Sequence, residues 1–163
     1  MLHRPEPLSA AHVLDGFDSG VASLDDWLSK RALANQTSGA SRTFVPCDAG
    51  RVVAYYALAA SAIATASAPG KFRRNMPDPI PVVVLGRLAI TRSHQGRGLG
   101  RALYQDAAQR VVKTANNIGI RGMLVHAISE EAKAFYLQLG LDPSPFEPMT
   151  LMVTVANLRA AMG

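Results

Sequence analysis

One six-residue stretch, Gln95-Gly96-Arg97-Gly98-Leu99-Gly100, restricts the folds open to this chain more than any other, because of what flanks it. Before it stands Pro81-Val82-Val83-Val84-Leu85-Gly86-Arg87-Leu88-Ala89-Ile90, whose three consecutive valines read as a buried strand. After it, Leu99, Leu103, Ala107, Val111, Ala115 and Ile118 recur at helical spacing, largely i, i+4. Strand, glycine-rich turn and helix start in that order build an anion cradle. Glycine lets the backbone approach a ligand closely, and the unbonded N–H groups of a helix start point out at it. A phosphate-bearing ligand is the first expectation, and a ligand-free αβ turn is the plain alternative.

Spacing separates the ligand classes. A Walker A loop closes on Gly-Lys-Ser or Gly-Lys-Thr, whereas this one continues Gly100-Arg101-Ala102. A dinucleotide fingerprint spaces its glycines G-x-G-x-x-G and wants an acidic residue about 20 positions on. Here the glycines fall as G-x-G-x-G, and Asn116 and Asn117 stand where the acid would be. The pattern Gln/Arg-x-x-Gly-x-Gly/Ala, which holds the pyrophosphate of coenzyme A in the GCN5-related N-acetyltransferases (the GNAT fold), fits in full. Residues 95–100 resemble that loop at every specified position.

The chain beyond the loop extends the resemblance. Ile120 to Ile128 reads as a second buried strand, and Ser129 as the N-cap of a following helix with Glu130 and Glu131 in its first turn. Lys133-Ala134-Phe135-Tyr136-Leu137-Gln138-Leu139-Gly140-Leu141 resembles the family's A-x-x-F-Y-x-x-x-G-F segment, with Leu141 in place of the final Phe and Gly140 suited to the helix C-cap. The family often has a tyrosine near the thioester sulfur, which implies that role for Tyr136. Helical spacing alone reads it equally as a packing aromatic. The resemblance further implies that backbone groups of Leu88, Ala89 and Ile90 hold the pantetheine arm. It places Gln95, Gly96, Arg97, Gly98, Leu99, Gly100, Arg101, Ser129 and Phe135 among the residues binding acetyl-CoA, the acetyl donor.

At 163 residues and 48% hydrophobic, the chain supports one domain with a real core, residues 1–163. No apolar run reaches the roughly 18 residues that span a bilayer. The start, Met1-Leu2-His3-Arg4-Pro5-Glu6-Pro7, is no secretory signal, so a cytoplasmic protein is expected. The lone Cys47 excludes an internal disulfide and reads as a buried inert thiol, and no metal site is expected. A helix is predicted from about Val21 to Ala34, capped by Asp18 or Ser19, with Leu24, Trp27, Leu28 and Leu33 facing inward. Runs at Ser41 to Cys47 and Arg51 to Ala64 join through Asp48-Ala49-Gly50, which is hairpin chemistry. A proline-bearing loop covers Ser67 to Pro81, and Met149 to Val155 alternates as a closing strand. The sum is an α+β fold with a mixed, mostly antiparallel sheet flanked by helices.

Net charge is +5, which favours an acidic partner. Lys71, Arg73 and Arg74 crowd the proline-bearing loop, Arg87 and Arg92 flank the strand before the glycine turn, and Lys30, Arg31 and Arg42 come earlier. On one face these would form a rail for a phosphate backbone; a solvated loop is the alternative for Arg73 and Arg74. His126 reads as a satisfied core histidine in mid-strand, and His94 has no assigned role.

A narrower resemblance then emerges. Leu24-Asp25-Asp26-Trp27-Leu28, Arg42-Thr43-Phe44-Val45, Phe72 to Pro81, Gly86 to Ile90 and Val125 to Lys133 resemble the toxin acetyltransferases of type II toxin–antitoxin pairs. That branch acetylates the amino group of charged tRNA and halts translation. It implies an aminoacyl-tRNA substrate, a homodimer and a ribbon-helix-helix antitoxin as partner. Two other readings stand beside it: a GNAT enzyme acting on a protein N-terminus or small amine, and a non-catalytic RNA-binding module.

Overall fold

A run of eleven residues from Ile80 to Ile90 forms the longest strand, as its valine triplet requires. The computed structural model describes residues 2–162. In chain order the first half holds β1 (Glu6–Pro7), α1 (Ala22–Lys30), α2 (Ala32–Ser38), β2 (Arg42–Val45), β3 (Cys47–Asp48), β4 (Arg51–Val52) and β5 (Ala54–Ile63). Then come α3 (Gly70–Arg73), β6 (Ile80–Ile90), α4 (Leu99–Ala115), β7 (Gly122–His126), α5 (Glu130–Gln138), β8 (Asp142–Pro143), β9 (Thr150–Thr154) and α6 (Val155–Ala161). The chain forms two compact units, one of Met1–Ala59 with Gly86–Ala107 and one of Ala60–Leu85 with Ala108–Gly163. Strands β5 and β6 and helix α4 contribute residues to both.

In the first unit the strand order is β1-β2-β5-β6. β1, β2 and β5 are antiparallel, with Glu6 opposite Val45 and Phe44 opposite Tyr56. The Asp48-Ala49-Gly50 turn closes the β3/β4 hairpin as expected, with positive φ at Ala49 (53°) and Gly50 (79°). Both values suit the tight turn that matches strand twist. Leu8, Leu24, Leu28, Val45, Tyr55 and Ala89 build the core, with Phe17 and Trp27 packed against it. Trp27 stacks on Tyr55 at 5.8 Å, so it is the packing anchor that its place beside Leu24 and Leu28 suggests.

The helix predicted over Val21 to Ala34 is in fact two. Arg31 leaves helical geometry (φ −124°, ψ −32°), which resets the phase, so that Ala32 is buried and Leu33 is 40% exposed. Neither Asp18 nor Ser19 caps α1; Val21 occupies that position without a side-chain bond. Instead Asp25 reaches back to accept from Ser19 N (3.1 Å) and Ser19 Oγ (2.6 Å).

In the second unit the order is β5-β6-β7-β9-β8, with β6 and β7 parallel and β7/β9 and β8/β9 antiparallel. The class is therefore the expected α+β with a mixed sheet. Gly122 permits the β7/β9 approach: a Cβ there would lie 2.0 Å from the Val153 carbonyl oxygen. The predicted loop from Ser67 to Pro81 carries the short helix α3, whose Phe72 enters a core with Ala68, Ile80, Val82, Leu124 and Met152. Arg121 fastens this segment by donating from Nε to Phe72 O (2.7 Å) and from Nη2 to Lys71 O (2.9 Å). The closing strand ends at Thr154, whose hydroxyl accepts from Asn157 N (3.1 Å) and starts α6, a helix the alternating pattern does not announce. Among the described residues no helix is long and apolar enough to cross a membrane.

Candidate functional site

The glycine turn lies in the first unit, between β6 and α4. Thr91 N–H, just past the end of β6, donates to Val53 O (2.9 Å) in the link between β4 and β5. Gln95 then pins the turn, its Nε2 donating to Ile90 O (2.8 Å) and Ser19 O (2.9 Å). Gly96 and Gly98 take φ of +77° and +78°, and nothing lies within 4 Å of where either Cβ would project. These are conformations other residues adopt only at a cost, and the space before them is open. Ala102 N–H is the first amide past the turn to bond back, to Gly98 O at 3.2 Å. The amides of Gly96 to Arg101 donate to no turn or loop carbonyl among the described residues. Arg97 and Arg101 are exposed beside them. Such a concavity of N–H groups and cations takes a diphosphate well.

The strand entering the turn supplies the rest of this face. Ala89 is buried in the core, whereas Leu88 and Ile90 are half-buried. His94, unassigned from sequence, has a structural partner: its Nε2 lies 2.9 Å from Asp48 Oδ2. That hydrogen bond helps hold the Asp48 carboxyl down at about 2.

Helix α5 belongs to the second unit. The Ser129 hydroxyl accepts from Ala132 N (3.1 Å), the predicted N-cap, with Glu130 and Glu131 in the first turn favouring the positive helix end. Tyr136 is 7% exposed and Phe135 meets it edge-on at 5.1 Å. Burial pushes the Tyr136 phenol up to about 12, so it stays protonated at any physiological pH. Gly140 turns out of the helix at φ +98°, and Leu141 fills the core with its N–H donating to Tyr136 O (3.2 Å).

The predicted cations divide between the units. In the first, the Arg87 guanidinium lies 4.4 Å over the Trp27 ring and Arg92 Nε lies 3.3 Å from Asp18. Lys30 lies 3.8 Å from Asp26, Arg42 donates to Gln36 O, and Arg31 is exposed. In the second, Lys71, Arg73 and Arg74 all lie exposed on and beyond α3.

Two features escape sequence reasoning. His126 is no mid-strand core residue: it ends β7 with an exposed ring and contacts Thr150. It borders a cavity of about 270 Å³ with Ser61, Val84, Leu124, Glu147 and Thr150. Nothing in the chain marks this pairing, because its members stand 24 residues apart. The second is a cluster of Glu6, His12 and Cys47, whose ligand-type atoms lie within 4.8 Å. His12 Nδ1 accepts from Ser9 N (2.9 Å), which leaves the proton on Nε2 to bond Glu6 at 2.8 Å. The His12 nitrogen facing the cluster is thus a donor to Glu6. Cys47 is buried, and burial pushes its thiol pKa up.

With this geometry in place, the class is defined. Residues 39–140 match the acetyltransferase (GNAT) domain family, and the chain belongs to it: it is an acetyltransferase. Among individual proteins, it is 52% identical to the tRNA-acetylating toxin of Mycobacterium tuberculosis, over 98% of this chain and 96% of that one. The structure of AtaT complexed with acetyl-methionyl-tRNAfMet superposes with a TM-score of 0.92, at 30% identity and with 100% of each chain covered. A mutant AtaT bound to the C-terminus of the antitoxin AtaR and acetyl-CoA gives a TM-score of 0.85 at 28% identity, covering 99% of this chain and 98% of that one.

Proposed function

We propose that this protein moves the acetyl group of acetyl-CoA to the α-amine of an aminoacyl-tRNA, and so stops translation as the toxin of a toxin–antitoxin pair. The observation that carries the reading is likeness along almost the full length to a tRNA-acetylating toxin, at 52% identity. The open glycine turn supports it by fitting the donor. Amides of Gly96 to Arg101, with Arg97 and Arg101, receive the diphosphate. The backbone of Leu88, Ala89 and Ile90 takes the pantetheine arm in the manner of an added strand. An N–H on that strand polarises the thioester carbonyl as an oxyanion hole does.

Tyr136 then serves the sulfur. A free thiol titrates at about 8.5 and burial pushes the Tyr136 phenol up to about 12, so complete proton transfer is uphill. A positioned hydrogen bond that stabilises the departing thiolate is the role its burial supports. Exposed Lys71, Arg73 and Arg74 supply phosphate contacts to the tRNA, with Arg31 and the partly tied Lys30, Arg42, Arg87 and Arg92 of the other unit. Ser129 and Phe135 act by setting α5 and the Tyr136 ring.

A ribbon-helix-helix antitoxin as partner, a homodimer and a cytoplasmic location complete the proposal. Light scattering at twice 17.3 kDa would support the dimer, and 17.3 kDa would remove it. The central test is incubation with acetyl-CoA and total charged tRNA, followed by mass analysis of the released aminoacyl adenosines. N-acetylated species are expected; their absence with any charged tRNA overturns the reading.

A further inference from the structure

The parallel pairing of β6 with β7 ends at Leu85 opposite Val125, and the next residue of β7 is its last, His126. Across the antiparallel pair, His126 stands opposite Thr150 on β9. His126 Nδ1 lies 3.0 Å from Thr150 Oγ1. The same hydroxyl donates to Glu147 Oε2 at 3.4 Å, and Thr150 N donates to Glu147 O at 2.9 Å, which holds the short loop in place.

The destination of the Thr150 hydroxyl proton sets the tautomer. A hydroxyl has one proton, and an ionised carboxylate only accepts. With that proton directed at Glu147, Thr150 Oγ1 accepts from Nδ1–H, and the lone pair of the neutral ring sits on Nε2. Nε2 has no partner among the described residues. The ring borders the 270 Å³ cavity, whose other walls include Val84, Leu124 and Met152. Of the lining residues only His126 and Glu147 ionise; Glu130, Glu131 and Lys133 of the adjoining α5 are not among them.

We infer that His126 is the proton acceptor of the acetyl transfer, with Thr150 and Glu147 as its positioning residues and the cavity as the place of the incoming amine. The inference rests on the acetyltransferase reading above. As the amine nitrogen bonds to the acetyl carbon, it gives one proton to Nε2. The C–S bond breaks with its electron pair on sulfur, and the exposed imidazolium returns its proton to solvent.

The test is single-turnover acetylation of charged tRNA by wild type, His126→Gln and Thr150→Val at saturating acetyl-CoA, between about pH 5.5 and 8.5, where imidazole titrates. His126→Gln should be slower by about 100-fold and lose the imidazole limb of the pH profile. Thr150→Val should lose about 10-fold and shift that limb, and both variants should bind acetyl-CoA as wild type does. A His126→Gln enzyme with the wild-type rate and profile overturns the inference. Wild type acetylating no charged tRNA defeats the substrate reading instead. Nitrogen-15 NMR of the His126 ring in wild type tests the geometry without turnover. The Nδ1–H form is expected, and the Nε2–H form overturns the inference even if His126→Gln does not fold.

Discussion

The two units present their chemistry through different parts of the chain. In the first, the proposed donor site is mainly backbone: Gly96 and Gly98 at positive φ open a row of amides, Arg97 and Arg101 stand exposed beside them, and Gln95 bonds carbonyls to hold the turn. In the second, the groups proposed to act are side chains: Tyr136 buried on α5, His126 with Thr150, and exposed Lys71, Arg73 and Arg74. A backbone site tolerates loss of side chains but not an added Cβ at a strained φ. A side-chain site shows the reverse.

The largest expected effect tests the side-chain half. Tyr136→Phe should lower turnover by about 1,000-fold, the upper range for losing one hydrogen bond to a developing anion, and leave acetyl-CoA affinity nearly unchanged by calorimetry. A turnover close to wild type would take Tyr136 out of the mechanism. Next, Gly98→Val should weaken acetyl-CoA binding by about 100-fold, because a β-branched residue at positive φ is strained and the turn that aligns the amides must distort. Tight binding by that variant would break the contrast between the units.

A smaller effect follows for Arg73→Ala combined with Arg74→Ala. Binding of tRNA should fall about 10-fold, and the dependence of log K on log salt should flatten by about 2, since each lost phosphate contact removes close to one released counterion. An unchanged slope would place the polyanion on other cations. The smallest effect sharpens the account of the first unit. The Asp48 carboxyl at about 2 lies below its unfolded value of about 3.9, so its bond to His94 contributes stability above that unfolded value. That contribution disappears as pH falls toward 2. Asp48→Asn should therefore give a shallower loss of stability over that acid window in urea titrations; an unaltered slope would contradict it.

The sequence by itself carries the short-range chemistry. The glycine turn, the Ser129 cap, the Gly140 exit, the Ala49-Gly50 hairpin and the strand of Ile80 to Ile90 each depend on residues within a few positions. Backbone sterics and capping act at that range, so sequence alone settles them. Folding in three dimensions decided the rest. The break at Arg31 exposed Leu33, Trp27 took the Arg87 guanidinium, Arg121 captured the α3 carbonyls, and β9 brought Thr150 to His126. Those partners stand 24 to 60 residues apart or hinge on helix phase, and no local pattern can encode a contact that only packing creates.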